Sequence, residues 1–402
     1  MYEALGRESV HPFPARMAPG IAIKVVGKKR KPLRVLDPMM GSGTVLALAQ
    51  ANGHHTFGVD IDPLAVLISK VWTTPVDKEK TLIEASRVIE RAKNKFTFLK
   101  VGMAYPKDAD KETKDFISFW FDPLARRQLV AIVQSIYEIR SKKIQNVMLC
   151  AVSRLIIAKQ AGVSLAMDLS HSRPHKVFDK APVKPFDKFL SSAERVINNC
   201  LDKNVKNGSV PYIRKGDARK LSVKTCSIDL VLTSPPYLNA IDYLRCSKFS
   251  LVWMGYRVSD LREVRSTSIG SELGCKIASE DEEVQSIITE LNLRPKLSTR
   301  NEAILARYIL DMRKSIDEVA RVLAPNGKAV YVVGENVLKG TYIRNSALLK
   351  LSAKKCGLTF RGQQVRILPA NRRYLPPPTR ISAEALDVRM RREVIMTFQK
   401  VT

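Results

Sequence analysis

The chain has 402 residues, 45% of them apolar and 26% charged, which excludes a disordered polymer and leaves one large domain with insertions or two to three domains. No apolar run reaches the roughly 18–20 residues of a membrane span, and the opening MYEALGRESVHPFP has no apolar signal core, so a cytoplasmic protein is expected. With 67 Lys+Arg against 39 Asp+Glu the formal charge is +28, which favours a polyanionic partner: nucleic acid first, a membrane surface second, against the plainer reading of a merely basic protein.

Lys28-Lys29-Arg30-Lys31 reads as a solvated turn before a strand at 33–37 (LRVLD). Glycine-rich punctuation follows, then a helix over Val45–Ala51, a second strand at 56–60 (TFGVD) and an apolar helix over Pro63–Val71. This strand–loop–helix–strand unit opens a parallel α/β sheet. Residues 75–204 read as a mostly helical insertion with charged faces. Within it Leu129, Ile132, Val133 and Ile136 share a helical stripe, with Arg126, Arg127 and Arg140 off it, and 147–158 form a buried helix. The Pro- and Lys-rich stretch 171–188 reads as a loop or linker.

Strands return at 211–215 and 228–233. Residues 255–300 are polar and read as irregular, with an acidic patch at Glu280-Asp281-Glu282-Glu283. A helix over 303–323, a turn at Ala324-Pro325-Asn326-Gly327, a buried strand at 328–334 and two alternating segments at 358–368 and 393–400 complete the pattern. The expected fold is α/β: a doubly wound, Rossmann-like sheet with four strands of parallel type, a large helical insertion and an antiparallel C-terminal hairpin. The expected division is 1–74 and 205–402 as two parts of one domain, with 75–204 and a smaller stretch at about 255–300 inserted.

Cys150, Cys200, Cys226, Cys246, Cys275 and Cys356 form no Cys-x-x-Cys pair, so neither a zinc knuckle nor a disulfide framework is expected. His171 and His175 flank Pro174, but no further ligand cluster supports a metal, so none is expected and structural or phosphate-contacting roles are assigned.

Two loops carry the chemistry. Asp37-Pro38-Met39-Met40-Gly41-Ser42-Gly43-Thr44 lies between a strand and a helix, at the strand edge where doubly wound sheets bind ligands. Gly41 and Gly43 allow a tight turn and a close approach to a ligand. Leu46 stands at the third glycine position of a dinucleotide fingerprint, and Val45 stands where a P-loop would have Lys. A nucleoside without phosphates fits better than either. Asp60, ending the second strand, can accept both ribose hydroxyls. Asp62, two residues on, is expected to be exposed. Asp217, in Gly216-Asp217-Ala218 after the third strand, can accept from an adenine amine. Each acid is also explicable as a cap or turn residue.

The second loop is Thr233-Ser234-Pro235-Pro236-Tyr237. Two prolines remove two backbone donors and fix φ twice, so the loop can aim carbonyls at a ligand. An exocyclic amine of a nucleobase is a poor nucleophile because its lone pair is delocalised. The Ser234 hydroxyl and the Pro235 carbonyl can accept its two hydrogens and pull the nitrogen toward tetrahedral geometry, where charge develops during methyl transfer. Tyr237 would stack on the base, which must leave the duplex to be reached. The plainer reading is a strand-end turn with a packed Tyr.

Together these segments resemble the SAM-dependent methyltransferases that modify exocyclic amines of DNA bases, in which a [DN/S]-Pro-Pro-[Tyr/Phe] loop is catalytic and Asp-Pro-x-x-Gly-Ser-Gly-Thr binds the cofactor. Here they read SPPY at 234–237 and DPMMGSGT at 37–44. The resemblance covers the sheet core, about half of the chain. It implies S-adenosyl-L-methionine on Asp37, Pro38, Gly41, Ser42, Gly43 and Thr44, with Asp60 at the ribose and Asp217-Ala218 at the adenine. His11, Pro12 and Phe13 of HPFPAR would close over the methionine end, and Ser234, Pro235, Pro236 and Tyr237 would be catalytic. Residues 367–378 resemble the family's late hairpin beside the target base, and Asp242 and Tyr243 line the base pocket or the core. Ser at the first loop position is more typical of N4-cytosine methylation, Asp or Asn of adenine N6.

Glu335-Asn336-Val337 imitates carbon-5 cytosine methyltransferases, but the chain has no Pro-Cys dipeptide to supply their nucleophile. The expected function is a site-specific DNA methyltransferase acting on a flipped base, N4 of cytosine ahead of N6 of adenine, in the nucleoid. An RNA amino-methyltransferase and a non-catalytic nucleic-acid binder are the alternatives. DNA is the expected partner, a restriction endonuclease would be a separate chain, and no membrane is involved. Either 75–204 or 255–300 would recognise the target.

Overall fold

The computed structural model describes residues 2–13, 16–158, 160–167, 169, 174–204, 209–238, 243–271, 281–293, 297–338, 341–368 and 392–401. The strands in chain order are β1 (Arg34–Asp37), β2 (His55–Asp60), β3 (Tyr212–Lys215), β4 (Ile228–Thr233), β5 (Leu323–Gly334), β6 (Asn336–Leu338), β7 (Thr341–Ile343), β8 (Leu358–Ile367) and β9 (Arg392–Lys400). Seven form one sheet in the order β3-β2-β1-β4-β5-β9-β8, and β6 and β7 form a small ribbon. Strands β1 to β5 run parallel, while β9 is antiparallel to both β5 and β8. The parallel set therefore has five members rather than four. Nothing in KAVYVVG fixes the direction of β5, which follows from its pairing with β4.

The order reverses between β1 and β4, so loops leaving these neighbours open at one crevice. Their register is pinned at both ends. At the start, the Arg34 guanidinium donates to Asp229 at 2.7 and 3.0 Å, and the Arg34 N–H donates to the same carboxylate at 2.8 Å. At the end, the Thr233 hydroxyl donates to Asp37 at 2.8 Å.

Strand residues alternate between two covered faces, as a parallel sheet requires. Val35, Leu230, Leu232, Val330 and Val332 pack with helices Pro19–Val26 and Thr44–Ala51. Leu36, Val231, Ala329, Tyr331 and Val333 pack with helices Thr299–Val322 and Asn345–Lys355. Helix Pro63–Thr73 is buried along its whole length except at Lys70. A helix apolar all round must be covered on its outward face too, and the region 75–204 supplies that cover.

This region folds as helices Lys78–Phe98, Lys111–Trp120, Pro123–Tyr137, Lys142–Ile156 and Pro185–Asn199. Asp77, Asp110 and Asp122 start three of them by accepting a backbone N–H of the first turn, and Pro123 follows its cap at the first helical position. One apolar cluster runs from Leu64, Ile68 and Trp72 through Phe121, Leu129 and Ile132 to Phe249 and Trp253. Trp72, Phe121 and Phe249 are fully buried, each worth about 1.5–3 kcal/mol, and Phe121→Ala would cost about 3–5 kcal/mol. Helix Pro123–Tyr137 is buried on more than one stripe. Arg126, expected off the apolar face, is buried and donates to the Tyr105 and Ser118 hydroxyls at 2.6 and 2.9 Å, partners that no spacing rule reveals.

Residues 255–300 are not irregular throughout, since helices Val258–Thr267 and Glu282–Glu290 form within them. Asp281, read as part of an acidic patch, caps the second of these and pairs with Arg313 at 2.9 Å. Residues 358–367 and 392–400 pair as the expected antiparallel hairpin. No helix among the described residues is long and apolar enough to cross a membrane.

Candidate active site

The glycine loop leaves β1 and enters helix Thr44–Ala51. Gly41 and Gly43 have φ of +49° and +78°, where a side chain is strained. A Cβ on Gly43 would also meet Ser69 Oγ at 2.7 Å and the Ser69 backbone at 3.1 Å. The Ser69 hydroxyl donates to the Gly41 carbonyl at 3.1 Å. Pro38, Ser42 and Thr44 are buried, and the Ser42 and Thr44 hydroxyls bond each other at 3.3 Å. These three side chains shape the loop.

Two carboxylates hold the loop. Asp37 accepts from the Met39 N–H at 3.2 Å and from Thr233. Burial pushes its carboxyl up to about 7, against the pull of those two bonds. Asp60, at the end of β2, is half-buried and accepts from the Gly41 N–H at 2.8 Å and the Asp62 N–H at 2.9 Å, one on each oxygen. Burial raises its pKa against these backbone donors. Each Asp60 oxygen keeps a second acceptor site, so the carboxylate fits a diol such as a ribose.

Asp62 is buried rather than exposed. It caps helix Pro63–Thr73 through the Leu64 N–H at 2.8 Å and accepts from the Ser247 hydroxyl at 2.7 Å. Burial and then the Asp60 charge push its carboxyl up to about 7. The Asp-Pro pair signals the cap in the sequence, but Ser247 lies 185 residues away and cannot be read there.

Asp217 follows β3 and is gripped by its neighbour. Arg219 Nη2 donates to it at 2.6 Å, Nε at 3.0 and 3.1 Å, and Nη1 reaches Asp311 at 2.6 Å. Burial would raise Asp217, yet the Arg219 bonds and charge outweigh it and hold the carboxyl below its ordinary range. Ala218 beside it is buried.

The HPFPAR segment reaches the helices. His11 is fully buried, with Nε2 2.9 Å from Ser153 Oγ, which donates on to Ser250 Oγ at 2.9 Å. Burial, then the charges of Arg154 and Arg16, keep the imidazole well below its ordinary pKa and so neutral. Among the described residues, the hydrogen bonds of His11 run to Ser9, Arg16 and Ser153, not to the glycine loop. Phe13 is buried, 6.1 Å from the Tyr243 ring that opens the helix after the proline loop, and Pro12 is half-buried.

The proline loop leaves β4 beside the glycine loop, joined to it by the Thr233–Asp37 bond. Two distant side chains hold it. The buried Tyr308 hydroxyl donates to the Pro236 carbonyl at 3.0 Å, and the Asn336 amide donates to the Leu238 carbonyl. The Ser234 hydroxyl and the Pro235 carbonyl carry no hydrogen bond to other described residues. Ser234 and Pro236 are half-buried and Pro235 is buried. Tyr237 is half-buried and packs against the cluster around helix Thr299–Val322. Tyr308 and Asn336 escape the sequence because neither lies in a local pattern. The Glu335-Asn336-Val337 decoy thus has a structural role: Asn336 braces the proline loop and Glu335 accepts from the Ser346 hydroxyl. Asp242, His171, Glu280, Cys275 and residues 369–378 of the late hairpin lie outside the described residues.

A parallel sheet of order 3-2-1-4-5 with an antiparallel strand inserted beyond β5, and with a glycine turn, a half-buried carboxylate and a proline loop along one rim, has the architecture of SAM-dependent methyltransferases. The chain is 26% identical over 367 residues to the type II methyltransferase M.MvaI of Kocuria varians, covering 86% of this chain and 80% of that one. It is 21% identical over 380 residues to M.AvaI of a Nostoc species, covering 84% and 75%. No protein-family model matches. Among solved structures, a SAM-dependent methyltransferase of Methanosarcina mazei aligns at TM-score 0.34 and 10% identity over 96% of this chain and 99% of its own. A candidate DNA modification methylase of Thermus thermophilus, complexed with SAM, aligns at 0.24 and 18% over 46% and 52%. The chain is thus similar over most of its length to type II methyltransferases.

Proposed function

We propose that this methyltransferase moves a methyl group from SAM to N4 of a cytosine swung out of a DNA duplex. The observation that carries the reading is the 2.8 Å bond between Thr233 and Asp37, which sets the two loops side by side at the ends of adjacent parallel strands. When bound, the cofactor supplies an activated sulfonium methyl. The Gly41–Gly43 backbone and the second acceptor sites of Asp60 hold its nucleoside, with Asp217 and Ala218 at the adenine. Asp217 does this while paired to Arg219. His11, Pro12 and Phe13 act from the helical side, by packing that end of the site against Tyr243.

On the other loop, Ser234 Oγ and the Pro235 carbonyl accept the two hydrogens of the target amine and turn its lone pair toward the methyl. Once the nitrogen has gained its methyl group, one of its hydrogens leaves as a proton, passed by the Ser234 hydroxyl to solvent, which restores a neutral amine. Tyr308 holds the Pro236 carbonyl away from this work, so the acceptors that face the amine are those of 234 and 235. Tyr237 covers the base, which must be extruded because its amine is paired inside the duplex. Ser at position 234 favours cytosine. Residues 1–74 and 205–402 act as one catalytic unit with 75–204 as its helical insertion, and any cognate endonuclease is a separate chain. The test is incubation with labelled SAM and genomic DNA, then nucleoside mass spectrometry. N4-methylcytosine is expected. N6-methyladenine alone would move the target to the other base, and label in RNA but not DNA would move the substrate.

A further inference from the structure

A groove of about 490 Å³ lies beside the loops rather than at the cofactor turn. One wall is helix Lys111–Trp120, and the other is formed by helices Tyr243–Leu251 and Val258–Thr267. Its size is that of a ligand cleft, roughly 300–1,000 Å³. Arg245, Lys248, Arg262 and Arg265 line it, against Glu112 and Asp115. Glu112 pairs with Arg262, and the Lys248 ammonium lies 4.6 Å from the centre of the Phe116 ring.

Its aromatic residues differ in kind. Phe116 and Trp120 pack edge-on against the buried Phe249, at 5.2 and 4.9 Å. Phe119 is 55% exposed, with the Lys176 ammonium 5.5 Å from its ring. An exposed ring among cations is the composition of a nucleic-acid strand site, in which the ring takes a base or sugar and the cations take phosphates.

The groove is tied to the catalytic rim at three points. Ser247 bonds Asp62 just past β2, Arg219 beyond β3 donates to the Thr267 carbonyl at 2.6 Å, and a Cβ on Gly270 would sit 3.1 Å from the Tyr237 carbonyl oxygen.

We infer that this groove carries the sugar–phosphate backbone of the substrate strand next to the extruded base, with Arg245 and Arg265 at phosphates and the Phe119 ring against the adjoining nucleotide. The inference rests on the DNA methyltransferase reading above. Phosphate contacts release counterions, and ring contacts do not. The salt dependence of duplex binding by the full chain therefore separates them.

For Arg245→Gln combined with Arg265→Gln, the slope of log K against log[NaCl], from anisotropy of a labelled duplex, should fall by about 2, roughly 0.9 per phosphate. The corresponding pair of Arg→Lys substitutions should keep the slope, and SAM binding by calorimetry should be unchanged in both. Phe119→Ala, at an exposed site, should raise KM for genomic DNA about tenfold with the slope unchanged. If the parent methylates DNA while the Gln pair keeps its slope and Phe119→Ala keeps its KM, the groove assignment is overturned and the methyltransferase reading stands. A parent that methylates no DNA overturns that reading itself.

Discussion

The two rim loops solve opposite problems. The glycine loop has backbone N–H groups to place, and the protein meets them with carboxylates: Asp37 takes the Met39 N–H and Asp60 takes the Gly41 N–H. The proline loop has lost two N–H groups and has carbonyls in surplus, and the protein meets it with donors, the Tyr308 hydroxyl and the Asn336 amide. One loop is thus braced by acceptors and the other by donors. Thr233 and Asp37, one from each, make the seam between them.

Ser234→Ala should have the largest effect, because it removes an acceptor aimed at developing charge: kcat should fall about 10²–10³-fold with SAM affinity unchanged. Asp60→Ala should do the reverse, raising the Kd for SAM at least about tenfold in calorimetry. If both variants methylate like the parent, the division of labour between the loops is wrong. Gly43→Ala places a methyl group on Ser69 at φ +78°, so it should destabilise the fold by about 1–2 kcal/mol and weaken SAM binding, both readable in thermal melts with and without SAM. Tyr308→Phe frees the Pro236 carbonyl and should lower kcat roughly tenfold while the Kd for SAM stays put.

The smallest effect concerns pH. The folded pKa of Asp37, near 7, lies above that of the unfolded chain, about 3.9. Between pH 4 and 7 the folded protein keeps a proton that the unfolded chain has released, so stability falls as pH rises through that window and is level above it. Asp37→Asn, which can still accept from Thr233, should show a shallower decline in urea midpoints from pH 4.5 to 7. Asp62→Asn should flatten the same window.

What the sequence disclosed was local. DPMMGSGT and SPPY each sit in one strand-to-helix or strand-end turn, so glycine and proline geometry alone marks them, and the alternating apolar runs give the strands. What it hid was set by long-range contact. Asp62 reads as a loop acid until Ser247 closes over it, Arg126 reads as a surface cation until Tyr105 and Ser118 meet it, and Tyr308 reads as one apolar residue of a long helix until it reaches Pro236. His11 shows the limit of a motif: the segment can be picked out, but its partner Ser153 stands on a helix of the region that the resemblance does not cover. The helices within 255–300 were missed because their faces are polar and their buried positions few.

The placement of β9 has a consequence for biosynthesis. This strand lies between β5 and β8, yet it is made after both. Until residues 392–400 leave the ribosome, β5 lacks its β9 partner over 328–334, and β8 has no strand beside it among the described residues. Nascent chains stalled before that point should therefore be held by chaperones or lost to aggregation, and completing the sheet is tied to translation of β9.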